Sequence, residues 1–347
     1  MPKLEIFGSE WFTITLGTFA LSISMYHLNA IFGYHYLRYI GLVFLYLGIT
    51  FFIATIVVWI ARTFLDHKVI WNDWNSLNRI SFTTVIPLSA SVFNVLLISY
   101  YGFNELYLNL YLINYFADFT AILIMSFFLG YKLYTKSPVH TNEISYALLI
   151  PPVALSSNAL LGLYLFRTEY FSTIIFMTVM GIGMALLLFL FIGIMAFASY
   201  IRDLKSNVTS PMLVLPVGVS SIIVINILIL ATTKSIFQIA MSQAMLISVM
   251  LWAFELWNFV VAMMIGLKKV FREPASISIW GYTFPIAIFS ISSFQLESIL
   301  MEYHYSIAGD FLYYVGLAAS IILIIAWIYA ITSTAIFLTH MNKMHLA

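Results

Sequence analysis

Two carboxylates, Asp118 and Glu255, stand near the middle of otherwise apolar stretches. An ionisable group at membrane depth is costly, so each is a candidate for proton coupling. A hydrogen bond to a neighbouring helix is the alternative role. Few other residues invite chemistry. Cysteine is absent, which removes disulfides, thiolate metal sites and cysteine nucleophiles. His27, His35, His67, His140, His304, His340 and His345 fall at the ends of apolar stretches or between them. They therefore offer no axial pair for a haem inside a bundle. There is no nucleophile–base pair, metal-ligand cluster or nucleotide-binding glycine loop. The sequence predicts no enzyme, no cofactor and no metal.

The prolines are more telling. Pro87, the pair Pro151-Pro152, Pro216 and Pro285 recur roughly 65–70 residues apart, about two ~20-residue spans plus their turns. Small or hydroxyl residues follow them, among them Ser89, Ser156, Gly218 and Ala287. One interval upstream, Thr15 and Gly17 occupy the matching place with threonine for proline. A proline inside a helix removes a backbone hydrogen bond and clashes with the preceding turn. Bilayer tolerates the break only where protein or water satisfies the freed groups. Five interrupted helices therefore predict a ring around a central passage, and so a transport protein. The expected kink and lining positions are Thr15, Gly17, Pro87, Ser89, Pro152, Ser156, Pro216, Gly218 and Pro285.

The stretches that carry these positions lack Lys and Arg. A transported anion would meet hydroxyls, freed N–H groups and helix N-termini rather than a cationic ring. Weak binding of that kind suits rapid passage. Arg79, at the mouth of the third stretch, and the basic loops could concentrate anions there. Ordinary topology determination is an equally good reading of those loops.

Elements long enough to hold these residues in a bilayer run the whole length. The chain is 63% hydrophobic and 8% charged, against about 25% charged in soluble domains. Ten spans are expected, at about 11–31, 36–61, 80–101, 106–131, 144–165, 170–200, 210–231, 235–266, 276–299 and 309–339. Lys3, Arg62, Lys68, Arg79, Lys132, Lys136, Arg202, Lys205, Lys268, Lys269, Arg272 and Lys343 then share the side of the termini. Only Arg38, Arg167 and Lys234 lie opposite. That asymmetry predicts cytoplasmic termini. The first span follows Met1–Glu10 without a small-residue cleavage site, so no cleaved signal is expected. No polar stretch is long enough for a soluble domain, and residues 1–347 read as one transmembrane domain. The net charge of +1 gives no basis for nucleic-acid binding.

Odd spans hold the prolines and most serines, whereas even spans are longer and bulkier. Small, polar helices suit an inner ring, and bulky apolar ones suit a lipid-facing outer ring. The expected fold is all-α: ten transmembrane helices as five hairpins with quasi-five-fold symmetry around a central pore.

Four segments carry a family resemblance. They are Leu16 to His27 (LGTFALSISMYH), Arg79 to Pro87 (RISFTTVIP), Tyr146 to Pro152 (YALLIPP) with Asn158 to Gly162, and Trp280 to Pro285 (WGYTFP). Together, and in order, they resemble the tellurite-resistance/dicarboxylate transporter family. It includes the bacterial tellurite-resistance protein, fungal malate and sulfite transporters and plant guard-cell slow anion channels. The resemblance covers essentially the whole chain. It departs at Asn75–Asn78 and His140-Thr141, where relatives often carry His-Pro, and at Thr15, where relatives can have proline. It implies a pore lined by kinked odd helices, a homotrimer in the cell membrane and small anions as cargo. Phe284, directly before Pro285, stands where the resemblance places an aromatic plug across the pore; packing between helices is the plainer role. Two modes are open: channel-like passage of chloride, nitrate or a C4-dicarboxylate, and proton-coupled carriage of malate or sulfite through Asp118 or Glu255.

Overall fold

A computed structural model describes residues 7–65, 67–135, 143–166, 171–202, 210–269 and 275–346, and among these every regular element is helical. Lys3, Lys136, His140, Thr141, Arg167, Lys205 and Arg272 lie outside the described residues, as do the side chains of His67, Lys343 and His345. The α-helices are α1 (Phe12–Phe32), α2 (His35–Leu65), α3 (His67–Asn75), α4 (Leu77–Thr83), α5 (Val85–Tyr101), α6 (Leu108–Thr135), α7 (Ile150–Leu165), α8 (Phe171–Arg202), α9 (Leu215–Thr232), α10 (Met241–Lys269), α11 (Thr283–Glu302) and α12 (Ser306–Leu346). Among the described residues, ten helices are long and apolar enough to cross a membrane, with α4 and α5 together forming the third. The expected spans match, except that the eighth begins at Met241 because Ser235–Ala240 form turns and extended chain.

The two classes of span separate by depth. At least 67% of the central window of each odd span is buried, against at most 39% for each even one. The inner helices close a ring: α1 packs on α5, α5 on α7, α7 on α9, α9 on α11, and α11 on α1. Each outer helix packs on its own inner helix, and α6, α8, α10 and α12 also touch the next inner helix in the ring. α2 reaches α5 through its side chains, with Arg38 Nη2 donating to the Tyr100 carbonyl at 2.8 Å. Val43, Ile53, Val57, Phe127, Phe191, Ile194, Leu246 and Ile325 project outward from the outer helices. Those apolar side chains suit acyl chains, and each helix satisfies its own backbone.

The prolines interrupt the odd spans, but not in mid-helix as expected. Each lies in the first turn of an α-helix, preceded by a 3₁₀ segment or a short helix. Tyr146–Leu149, Ser210–Val214 and Ile277–Tyr282 are 3₁₀ and lead into α7, α9 and α11. α4 leads into α5 across Thr84. The reason is local. A proline ring clashes with the carbonyl four residues back, and its missing N–H costs nothing in a first turn. Those carbonyls belong to Ala147, Leu148, Met212 and Gly281 in the 3₁₀ segments, and to Thr83 at the end of α4. Hydroxyls add a second bond to carbonyls beside the break: Thr84 Oγ1 donates to Ser81 O and Thr283 Oγ1 to Trp280 O, each at 2.7 Å. In the first span, with Thr15 in place of proline, α1 runs unbroken after a short 3₁₀ turn at Ser9–Trp11.

Close packing within the ring depends on two glycines. A Cβ on Gly218 would sit 3.1 Å from Pro285 Cβ and 3.2 Å from its Cα, and one on Gly17 would strike Trp280 and Thr283. Gly218 and Gly17 thus lie at α9–α11 and α1–α11 contacts.

Candidate functional site

The four proline breaks and the first turn of the unbroken α1 lie together, and the residues beside them enclose a cavity of about 40 Å³. All five inner spans contribute: Leu16 from α1, Leu88 from α5, Val153 from α7, Leu215 from α9, and Phe284 from α11. Phe82 and Trp280 add aromatic rings just ahead of α5 and α11. The geometry follows from the breaks. Leu16, Leu88 and Val153 come just after the proline position or its threonine counterpart, and Leu215 and Phe284 just before it. Thr13 is the sole hydroxyl side chain on the wall. A cavity of roughly 10–15 Å³ already suffices for one water, so this one has room for a few at most. Its wall offers an ion almost nothing to replace its hydration shell. Transfer of an unpaired charge into such surroundings is costly.

Phe284 borders this cavity from the first turn of α11, with 4% of its surface exposed. Pro285 borders the same cavity, whereas Pro151 and Pro152 face a separate groove between α6 and α8. Pro87 and Pro216 are buried in the first turns of their helices. Among the expected lining hydroxyls, Thr15 and Ser89 are buried without a hydrogen-bond partner, as are Ser24 and Ser157. Ser156 Oγ instead accepts from Asn226 Nδ2 at 2.9 Å.

Both intramembrane carboxylates bind inner-helix hydroxyls. Ser91 Oγ donates to Asp118 Oδ2 at 2.9 Å, and Asn158 Nδ2 donates to Ser91 Oγ at 3.2 Å. Three helices, α5, α6 and α7, are joined in this way. Glu255 Oε2 on α10 accepts from Ser221 at 2.7 Å and Ser292 at 3.0 Å, which ties α9 to α11. Asn94 stands apart from the Asp118 group; its Oδ1 accepts from Asn114 Nδ2 at 3.3 Å.

Arg79 is half exposed at the mouth of the third span, as expected, but its Nη1 lies 2.7 Å from Asp73 Oδ1. The other oxygen of Asp73 is 2.6 Å from Nη1 of Arg62, which is itself buried. The triad keeps one net positive charge, and part of the field expected from Arg79 is spent on Asp73. Sequence reading missed Asp73, Phe82 and Trp280. Spacing did hint at the two rings, since each stands five residues before a proline.

Among the described residues, an inner ring of five helices sheathed by five more defines a polytopic α-helical membrane protein. Residues 6–335 match the family model described as voltage-dependent anion channel. The chain belongs to that family, in agreement with the resemblance to tellurite-resistance/dicarboxylate transporters, and anion transport across a membrane is its family function. No curated protein matches the chain significantly.

Proposed function

We propose that the protein passes small anions down their electrochemical gradient along the axis of the inner ring, and that the Phe284 ring closes this path. One observation carries the reading. Four inner spans bring their breaks, and the unbroken α1 its first turns, to one apolar cavity too small for a hydrated ion, and Phe284 stands on its wall. Unpartnered hydroxyls on inner helices, such as Thr15, Ser89 and Ser157, supply donors along the ring without any lysine or arginine. An anion held only by such donors leaves readily, as conduction requires.

A second reading, proton-coupled carriage of malate, sulfite or a related anion, draws support from Asp118 and Glu255. Each is buried and bound to inner-helix serines, with no cation in contact among the described residues. Reconstituted vesicles separate the two. Chloride, nitrate or C4-dicarboxylate flux that follows voltage and ignores a pH gradient supports the channel. Uphill dicarboxylate uptake driven by protons refutes it. The family resemblance further supports a homotrimer in the cell membrane, with cytoplasmic termini and approximate five-fold rotation among the hairpins. Single cysteines in this cysteine-free chain test the topology. Gly33→Cys and Lys234→Cys should react with an impermeant reagent outside intact cells, and Lys136→Cys should not.

A further inference from the structure

A larger cavity than the axial one opens sideways between two outer helices. It holds about 330 Å³ and is walled by Phe51, Thr55 and Val58 of α2, Ile331 and Thr334 of α12, and Trp11 ahead of α1. α2 and α12 meet where Phe44 and Trp327 stack edge to face at 5.0 Å. One to four turns further along both helices they part, and Ile14 of α1 lies in the floor of the cleft. Small exposed residues, Ala54 and Ala335, leave its rim open on the bilayer side.

Water does not suit this cleft. Its two threonine hydroxyls already donate internally, Thr55 to Phe51 O and Thr334 to Ala330 O, each at 2.8 Å. A dry apolar cavity of roughly 150 Å³ already takes up benzene, and this one is more than twice that size. It is continuous with the lipid-facing rows of α2 and α12, which include Val57, Ile60 and Ile336. We propose that the cleft between α2 and α12 binds one acyl chain of a membrane phospholipid, and that this chain bears on the axial constriction through Trp280. The second half of the proposal rests on the reading of the constriction as the closed point of the pore.

The link is a single side chain thick. Trp280 is buried, and its ring borders the axial cavity. Its Nε1 donates at 2.8 Å to Thr334 Oγ1, and Thr334 lines the cleft. Trp280 also packs edge to face on Trp327 at 6.1 Å, and it precedes Phe284 by four residues. A chain pressing on Thr334 and Ile331 thus meets the residues that set the position of the Trp280 ring, while an empty cleft leaves that side unsupported. Such a chain has differential contact with two positions of the constriction, the condition for shifting an equilibrium.

The test uses the full-length protein in nanodiscs doped with a phospholipid that carries a photoreactive diazirine on one acyl chain. Labelling should map to peptides containing Thr55 or Thr334. Ala335→Trp, which fills the cleft from its lipid-exposed rim, should reduce that labelling at least tenfold, and Ala54→Leu should reduce it by a smaller factor. Labelling unchanged by either variant overturns the site. Crosslinking of Ala335→Cys to Ala335→Cys of a second copy would also overturn it, because a neighbouring subunit would then fill the cleft. For the coupling, conductance is compared in planar bilayers of saturated and monounsaturated phospholipid. The wild type should differ severalfold between the two, and Ala335→Trp should not. Thr334→Ser, which keeps the acceptor for Trp280, should retain the difference, while Thr334→Val should lose it with photolabelling intact. Equal lipid dependence in wild type and Ala335→Trp overturns the coupling but leaves the photolabelled site standing, and the labelling itself does not depend on Phe284 being a gate.

Discussion

Phe284→Ala sets two readings of one ring against each other. Its side chain is almost wholly buried and borders a cavity of about 40 Å³. Losing the ring frees on the order of 100 Å³, and at ~24 cal/mol per Å³ of empty space a dry void would cost about 2.4 kcal/mol. Loss of apolar transfer energy raises the total toward the 3–5 kcal/mol typical of Phe→Ala in soluble cores. If the ring instead plugs the passage, the freed volume joins the existing cavity and fills with water. Several waters then fit in file. The void term largely vanishes, while the dehydration barrier falls. A barrier reduction of only ~1.4 kcal/mol is already a tenfold rise in rate. The expected outcome is therefore at least tenfold higher anion conductance in planar bilayers, with thermal stability in detergent lowered by less than the dry-void cost. Phe284→Leu should fall between wild type and Phe284→Ala in conductance, since a smaller apolar plug still disfavours water. A full loss of stability with unchanged conductance would refute the gate and make Phe284 a packing residue.

Other perturbations follow from the same contacts. Asp73→Asn strips the buried Arg62 of its carboxylate, so thermal denaturation should show a loss of about 3–5 kcal/mol. Arg79→Ala, on the exposed arm of the same triad, should cost only about 0–1 kcal/mol. Gly218→Val drives a side chain against the Pro285 backbone and should destabilise by about 1–3 kcal/mol, read as a lower melting temperature in detergent. Glu255→Ala leaves Ser221 and Ser292 without their shared acceptor, at about 1–3 kcal/mol. Glu255→Gln keeps an acceptor and should preserve stability. Proton-driven uptake in vesicles, if present in wild type, should vanish in Glu255→Gln under the coupled reading and persist if Glu255 is only a brace.

Spans and their two classes were legible because lipid imposes one rule everywhere: apolar length for every crossing, and small or polar residues only where helix meets helix. Proline spacing revealed which helices would be interrupted. It did not reveal where, because a proline disturbs the carbonyl four residues before it and the interruption appears upstream, in Ala147 and Leu148 or in Met212. The pairing of Asp118 and Glu255 with inner helices was readable as a type of contact. Partners such as Ser91 and Ser292 were not, since a ring of serine-rich helices offers many hydroxyls at similar depth. Arg79 read as a free cation because Asp73 belongs to a short helix, α3, that hydropathy alone does not disclose. Trp280 and Phe82 were hidden among the eight tryptophans and thirty phenylalanines of the chain, where an aromatic side chain by itself distinguishes nothing.

Closure of the inner ring between α1 and α11 also has a consequence for biosynthesis. The face of α1 that carries Gly17 meets Trp280 and Thr283, which are made some 260 residues later. At ~5–20 residues per second, the first helix waits on the order of 10–50 s for the inner helix that closes the ring. During that interval the face that carries Gly17 must be sheltered by the insertion machinery. Nascent chains arrested before Thr283 should therefore stay in contact with that machinery through α1, and release should follow emergence of the ninth span.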